Sequence, residues 1–568
     1  MKPMISNKFK LTLITAAILS SGTASAALYQ VVEVEPSTTF DYQSSFGVAI
    51  QPGTATGGSE AALGCFDSDA TNCTADDFTL AGETRLSNAS AGEAVDGLSY
   101  REEVPFGMDN RFLYIQDRDD FENYCDNELR FAICESWASV RWNQWYNELS
   151  GNTTPNSIAF TGSSTTGTPV DETQNVVVNS LTDTGEPVGI ASTPGNVTEY
   201  RRNSVIGFVG GTEYSDGLQT RVWKTDGTYT VGSIATSATN DEGTYYSSKA
   251  ALWNGTTAVQ LNWGEQVDGA EVDNYLAQGS LRDFVVSGST LYAVGYNTYD
   301  VDSNDNLLNA TVFSVNTANV SDSASWSSSS VSGATVRKNN LRSGDYIYSN
   351  TILTGVNSNL VAIGESKRSV TGDNGLTGSR VFVVDDVTSP SASYLSGDIF
   401  FNGAGGKAGG INNYNEIVGQ VDAENVREAN GKPRRKRAFI YPYNGTGTVE
   451  ERRALFNDQG WWLDNLTNGG TYSSDNNQYR IIDASDINDA GVIAATAIKC
   501  DGGYSTTAYN ASCDGTETTV AVKLMPIPGA TSADISARGT DEMTTERSGG
   551  SFGLWMLAVL GLLGFRRK

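Results

Sequence analysis

Histidine does not occur anywhere in the 568 residues of this chain. Its absence removes serine–histidine and cysteine–histidine catalysis, imidazole zinc sites and histidine pH switches from consideration. Proline is sparse, at 13 residues, and cysteine rarer, at six. Positive charge is also short: 38 Lys and Arg stand against 66 Asp and Glu, for a formal net charge of −28. A surface of that sign repels phosphate backbones, so nucleic acid is not an expected partner. The interior holds no nucleophile elbow. Its glycine-rich stretches, Gly403–Gly406 and Gly409–Gly410, do not lead from a strand into a lysine-bearing helix of the phosphate-binding kind.

Long apolar runs are missing except at the two ends. Lys2, Lys8 and Lys10 precede the apolar run Leu11 to Leu19, and Ala24-Ser25-Ala26 supplies a small-x-small cleavage pattern. Residues 1–26 are therefore expected to be a signal peptide, cut after Ala26 by signal peptidase. The other end reads Ser548-Gly549-Gly550-Ser551, an apolar stretch from Phe552 to Phe565, then Arg566-Arg567-Lys568. As a helix that stretch is about 21 Å long at about 1.5 Å per residue. Trp555 and the terminal bases are suited to anchor it in a membrane with the basic end cytoplasmic. Residues 551–568 are thus expected to be a transmembrane helix with a basic tail, and 528–550 a flexible linker ending in the Ser-Gly-Gly-Ser motif.

This three-part ending resembles the GlyGly-CTERM sorting signal. The resemblance implies cleavage near Gly549-Gly550 by a rhomboid-type intramembrane protease. The chain would pass through an inner-membrane-tethered intermediate and then reach the cell surface or the medium.

Glycine is plentiful at 60 residues, hydrophobic residues make up 39% and aromatics 10%. With Ser, Thr, Asn and Asp dominating the polar set, this suits many short strands joined by tight turns and enough apolar surface for a core. The six cysteines fall into three local pairs: Cys65 with Cys73, Cys125 with Cys134, and Cys500 with Cys513. In an exported chain they are expected to form disulfides that staple loops.

A weak unit recurs through the interior: a strand, an Asn/Asp/Gly turn, then a second strand ending in a small residue. Copies are Val178 to Ile190, Phe284 to Tyr296, Gly355 to Glu365, Gly410 to Gln420 and Asp486 to Thr496. The small residue (Gly295, Gly364, Gly419, Ala495) returns at intervals of 69, 55 and 76 residues, long enough for four-stranded propeller blades with inserted loops. A further apolar strand follows most units, as at Val381 to Val384 and Ala438 to Tyr441. The expectation is an all-β, β-propeller-like array of about six to eight sheets over residues 27–527. The N-terminal strand Tyr29 to Val34 is expected to pair near Val520 and close the ring.

The unit resembles HAF-type extracellular repeats, with Gly410 to Gln420 and Arg437-Ala438-Phe439-Ile440 the nearest copy. With the two ends and the length, the whole chain resembles the domain of unknown function 3466 family, which is secreted and supplies no activity to carry over.

Two segments break the pattern. Residues 117–149 read as a helical insertion, with Leu129, Phe131, Ile133, Trp137, Val140, Trp142 and Trp145 at apolar positions. They pack on the β core or form an aromatic platform for a glycan. The basic run Lys432 to Arg437 is expected in a hairpin loop, neutralised by acids.

Asp300, Asp302 and Asn304 carry the alternating oxygens of a calcium loop, without the glycine and glutamate of an EF-hand, and Asp483, Asp486 and Asp489 cluster near a turn. No other cofactor is indicated. The expected function is a binding module displayed at the surface or secreted, engaging an extracellular ligand through propeller loops. The alternatives are a carboxylate-based secreted hydrolase, with or without calcium, and a structural envelope protein. Convergence of two or three carboxylates in a central pocket separates the hydrolase from the rest.

Overall fold

The computed structural model describes residues 27–85, 117–124, 134–198, 201–202, 204–215, 218–240, 243–265, 267, 269–272, 275–300, 306–334, 351–367, 379–397, 399–425 and 434–541. The fold is an all-β propeller with few helices. Five sheets stand as separate four-stranded blades, each a meander of antiparallel neighbours. They begin with the strands Asn175–Leu181, Gln219–Thr225, Gly279–Ser287, Thr351–Val356 and Gly406–Ile411. Each first strand packs against the blade before it, so the first strands form the inner wall of a ring.

The expected six to eight separate sheets reduce to these five blades because the remaining long strands merge into one nine-stranded sheet. One run of that sheet starts at Ser44–Ile50 and continues through Leu80–Arg85, Ala159–Gly162 and Thr166–Pro169. The other starts at Tyr479–Ile487 and continues through Ile493–Cys500 and Glu517–Pro526. A single parallel pair, Ser44 with Thr519, joins them. The second run takes its outer strand from the start of the chain: Tyr29–Glu33 lies antiparallel to it, Tyr29 opposite Pro526 and Glu33 opposite Val522. Ring closure by the N-terminal strand follows the sequence expectation.

The core lies between sheets rather than within one centre. Val231, Leu252, Leu281 and Phe313 fill one interface, and Val294, Val312, Leu353 and Phe382 the next. Burying these side chains contributes about 1.5–3 kcal/mol each.

The recurring small residue has a direct cause. Every first strand carries a register shift near its middle, between Val178 and Ser180, Val222 and Lys224, Leu281 and Asp283, and Leu353 and Gly355 in the first four blades. The bulge drives a carbonyl into the second strand. A methyl group at Gly189, Gly232, Gly295, Gly364 or Gly419 would overlap the carbonyl oxygen of Val177, Arg221, Ser280, Ile352 or Lys407. Ala495 holds the corresponding place in the closing run, and its own carbonyl oxygen would be overlapped by a methyl group at Gly47.

Helices Arg118–Tyr124 and Cys134–Leu149 occupy the expected insertion. Disulfides Cys65–Cys73 and Cys500–Cys513 are formed, with Cα separations of 5.5 and 5.7 Å. Cys134 begins its helix, and its expected partner Cys125 lies outside the described residues. Residues 528–541, in the expected linker, pack on the ring with Ala530 and Arg538 buried. Among the described residues no helix is long and apolar enough to cross a membrane. The expected C-terminal helix, 551–568, and the signal peptide, 1–26, lie outside the described residues.

Candidate binding face and central channel

The two faces of the ring are built differently. On one face, short turns join first to second strands, and their side chains are cross-linked. Asn357, Asn412 and Asn488 each open a four-residue turn. The fourth residue, Leu360, Asn415 or Gly491, has positive φ of 65°, 60° or 89°. Each Asn side-chain oxygen accepts from the backbone beyond its own turn: Val361 N–H for Asn357, Glu416 N–H for Asn412 and Val492 N–H for Asn488. Each side-chain NH2 then crosses to the next blade. Asn357 donates to the Asn412 carbonyl (2.9 Å), Asn412 to the Asn488 carbonyl (3.1 Å) and Asn488 to the Gln51 carbonyl (3.0 Å). Gln51 passes the link on to the Asp183 carbonyl at 2.8 Å. The Asn of the repeat is therefore a blade-to-blade staple.

Two longer loops on this face lock together. Arg452 and Glu416 form a fully buried two-pronged pair, at 2.6 and 2.9 Å. Arg452 also donates to the Leu63 carbonyl beside the Cys65–Cys73 loop, at 2.7 Å.

The opposite face carries most of the long connections. Among the described residues these include the helices Arg118–Tyr124 and Cys134–Leu149, the segments 193–198 and 501–516, and the sheet-to-sheet segment 463–478. Helix Cys134–Leu149 is tied down at its C-terminal end, where buried Glu148 accepts from Gly195 N–H (3.2 Å) and Asn175 Nδ2 (3.4 Å). One turn earlier, Trp142 and Tyr146 stand 6.0 Å apart, centroid to centroid, and Tyr146 is 54% exposed. The expected basic run is largely consumed: Arg434 and Lys436 both pair with buried Asp422, and Arg437 pairs with Asp464 at 3.1 Å. Lys432 lies outside the described residues.

Inside the ring, the residue following each bulge makes a belt. It is Ala49, Ser180, Lys224, Asp283 and Gly355 in successive first strands and Asp486 in the last, while Gly410 lies inside the shift between Ala408 and Ile411, where a methyl group would meet Asp486 Oδ1. One ammonium and two carboxylates thus share the inner wall and act on one another electrostatically. Asp283 Oδ2 accepts from Val356 N–H (3.0 Å) and its Oδ1 from Phe284 N–H (2.8 Å). Asp486 does the same with Ile50 N–H (3.1 Å) and Ile487 N–H (2.9 Å). Burial raises both carboxyls above the ordinary aspartate value, against the pull of Lys224 and these N–H groups. Burial pulls Lys224 down, but Asp283 and Asp486, with Asp183 and Asp489 farther out, hold it above the ordinary lysine value. Just above the belt, the Arg282 guanidinium stacks 3.5 Å from the Trp223 ring.

Sequence reasoning singled out Asp486 for calcium and missed Lys224 and Asp283. For Lys224 the available signal was a charged residue directly after an apolar pair, Val222-Trp223-Lys224; Asp283, after Leu281-Arg282, carried none of that kind. Asp300 ends the strand Thr290–Asp300, while Asp302 and Asn304 lie outside the described residues. Asp483, Asp486 and Asp489 go separate ways: Asp483 is buried, Asp486 enters the channel, and Asp489 holds the Asn413 side chain at 2.7 Å. Among the described residues no group of three acidic or cysteine side chains is placed to hold a metal ion. Ala26 and the sorting residues Ser548, Gly549, Gly550 and Ser551 also lie outside the described residues.

A family model described as protein of unknown function (DUF3466) matches residues 8–206 and 227–568. No curated protein matches the chain. Among solved structures, an α-L-arabinofuranosidase from Fusarium graminearum has 9% identity and a TM-score of 0.27, over 87% of this chain and 97% of that one. An α-L-arabinanase from Penicillium chrysogenum has 10% identity and a TM-score of 0.24, over 89% and 98%. A sialidase from Trypanosoma rangeli has 9% identity and a TM-score of 0.26, over 88% and 58%.

Proposed function

The chain belongs to the DUF3466 family of unknown function, and from that premise we propose that it is an exported binding module that engages an extracellular glycan on its long-loop face. The observation that carries this reading is the division of labour between the faces. One is short turns stapled from blade to blade with two longer loops locked through Arg452, and the other carries most of the long connections. Loops raised on a rigid scaffold are where binding residues concentrate. Exposed Tyr146, with half-buried Trp142 beside it, offers an aromatic surface on which a sugar ring stacks. Export follows from the signal peptide and the sorting tail, with signal peptidase and a rhomboid-type protease as processing partners and the cell surface or medium as destination.

The test is a glycan array probed with the protein purified from the medium, beside Trp142→Ala and Tyr146→Ala. The proposal expects a restricted set of glycans bound by the native protein and a loss of about tenfold or more in each variant, with unchanged melting temperature. Binding that survives both substitutions removes the platform from the proposal. No glycan bound at all leaves the structural envelope reading in its place.

A second reading, a carboxylate-based hydrolase, draws on Asp283 and Asp486 in the channel. Against it, both oxygens of each carboxylate are already held by backbone N–H groups. Glycoside hydrolysis detected with the native protein and lost in both Asp283→Asn and Asp486→Asn would revive that reading.

A further inference from the structure

Three guanidinium groups converge beneath the Cys500–Cys513 loop. Arg437 opens the strand Lys436–Pro442, Arg480 lies at the start of Tyr479–Ile487, and Arg538 comes from the segment after the turn Ser532–Asp534. All three are buried, at 2%, 2% and 7% exposure. Asp464 is the carboxylate that acts on all three among the described residues. It pairs with Arg437 through Oδ2 at 3.1 Å, while Arg538 Nε reaches its main-chain carbonyl at 2.7 Å.

Most of the remaining donors serve the loop above. Arg480 Nη2 reaches the carbonyls of Thr506 (3.2 Å) and Ala508 (2.8 Å), Arg538 Nη1 that of Thr507 (3.0 Å), and Arg437 Nη2 that of Tyr509 (2.6 Å). Arg480 and Arg538 meet at one acceptor, Asn477 Oδ1, at 3.4 and 2.9 Å. Arg437 Nε and Asp464 Oδ2 also make no hydrogen bond but face each other as an ion pair; two donors have neither, Arg480 Nε and Arg538 Nη2, both buried without a partner among the described residues.

We propose that this cluster holds a small monovalent anion of the halide class, accepting from Arg480 Nε and Arg538 Nη2. Two arguments select an anion over water. The cluster buries three positive charges against one negative, and a surplus of buried charge demands compensation. The leftover groups are both donors, so the missing partner needs acceptor capacity and no hydrogen of its own. Burial, with the neighbouring arginine, pulls Arg480 down to about 10, as a local excess of positive charge requires. The anion's structural effect is to order the loop 500–513 on the ligand-facing side. The inference stands apart from what that face binds.

The deciding experiment is a bromide-soaked crystal of the native protein, measured at the bromine edge. The expected result is an anomalous peak within hydrogen-bonding distance of both Arg480 Nε and Arg538 Nη2. Thermal melts at matched ionic strength are expected to give a higher Tm in chloride or bromide than in gluconate, rising with halide concentration. In Arg538→Gln that halide increment is expected to vanish. The substitution also removes bonds to Asp464 and Thr507, so if the variant does not fold the native measurements decide alone. A water in place of the bromine peak, or equal Tm in chloride and gluconate, overturns the proposal.

Discussion

At Asn412 one side chain performs three tasks: it closes its own turn, contacts Glu416 and reaches the neighbouring blade. Replacing it with Ala leaves the Glu416 N–H and the Asn488 carbonyl without their partner in a buried setting. The expected cost of Asn412→Ala is about 2–3 kcal/mol, from about 1–3 kcal/mol for each buried group left unpaired, partly relieved by water. Urea titration followed by tryptophan fluorescence would measure it. A loss below half a kcal/mol, within the range of ordinary surface substitutions, would mean the staples are ornamental.

Lys224 makes a pH-dependent prediction whose sign is fixed by its neighbours. Its folded-state value lies above the ordinary 10.5, so its contribution is complete below that pH and is lost as pH rises through the folded-state value. Asp283 and Asp486 are raised above 3.8, so their buried charge costs stability at neutral pH and the cost is relieved as pH falls through their folded-state values. Lys224→Met removes the balancing ammonium. It is expected to destabilise the ring by about 3–5 kcal/mol at pH 7, with part of the loss recovered on acidification towards pH 4–5. Equal destabilisation at pH 7 and pH 5 would show that Lys224 does not compensate the two carboxylates.

Among elements, the bulged first strand and its glycine-bearing partner form one device. Gly419→Val at a fully packed crossing is expected to cost about 3 kcal/mol or more, since overpacking alone costs about 1–3 kcal/mol and the Lys407 carbonyl cannot retreat without disturbing the channel. A measured loss within half a kcal/mol would mean that the bulge adapts.

The glycines were legible in the sequence because a small residue recurring in a Val/Ile context has few explanations. The bulges were not legible. A bulge adds one residue to one strand only, and no alternation in a degenerate repeat marks where. That is also why Lys224 and Asp283 were missed while Asp486, beside a recognisable turn, was noticed. The fate of the basic run depends likewise on distant acids: Asp464 is 27 positions beyond Arg437, and no local pattern ties them.

For the molecule as a whole, the propeller, the two disulfides and the N-terminal closing strand were readable from periodicity, cysteine spacing and strand-like ends. The division into five blades and one fused sheet was not, because it turns on the single Ser44–Thr519 pair. Breaking Cys500–Cys513 by reduction is expected to lower stability by about 2–3 kcal/mol for a loop of this size. It should also loosen the loop over the arginine cluster first, which hydrogen exchange at residues 504–512 would register. Uniform protection before and after reduction would count against that order.

The pairing of Tyr29–Glu33 with Val522–Pro526 also sets a timetable. The first strand to leave the ribosome waits for nearly the last before it has a partner, so the circle cannot shut on a partial chain. Until then two strand edges stay bare and open to foreign pairing. A chain shortened before residue 517 should accumulate as aggregate rather than as a smaller ring.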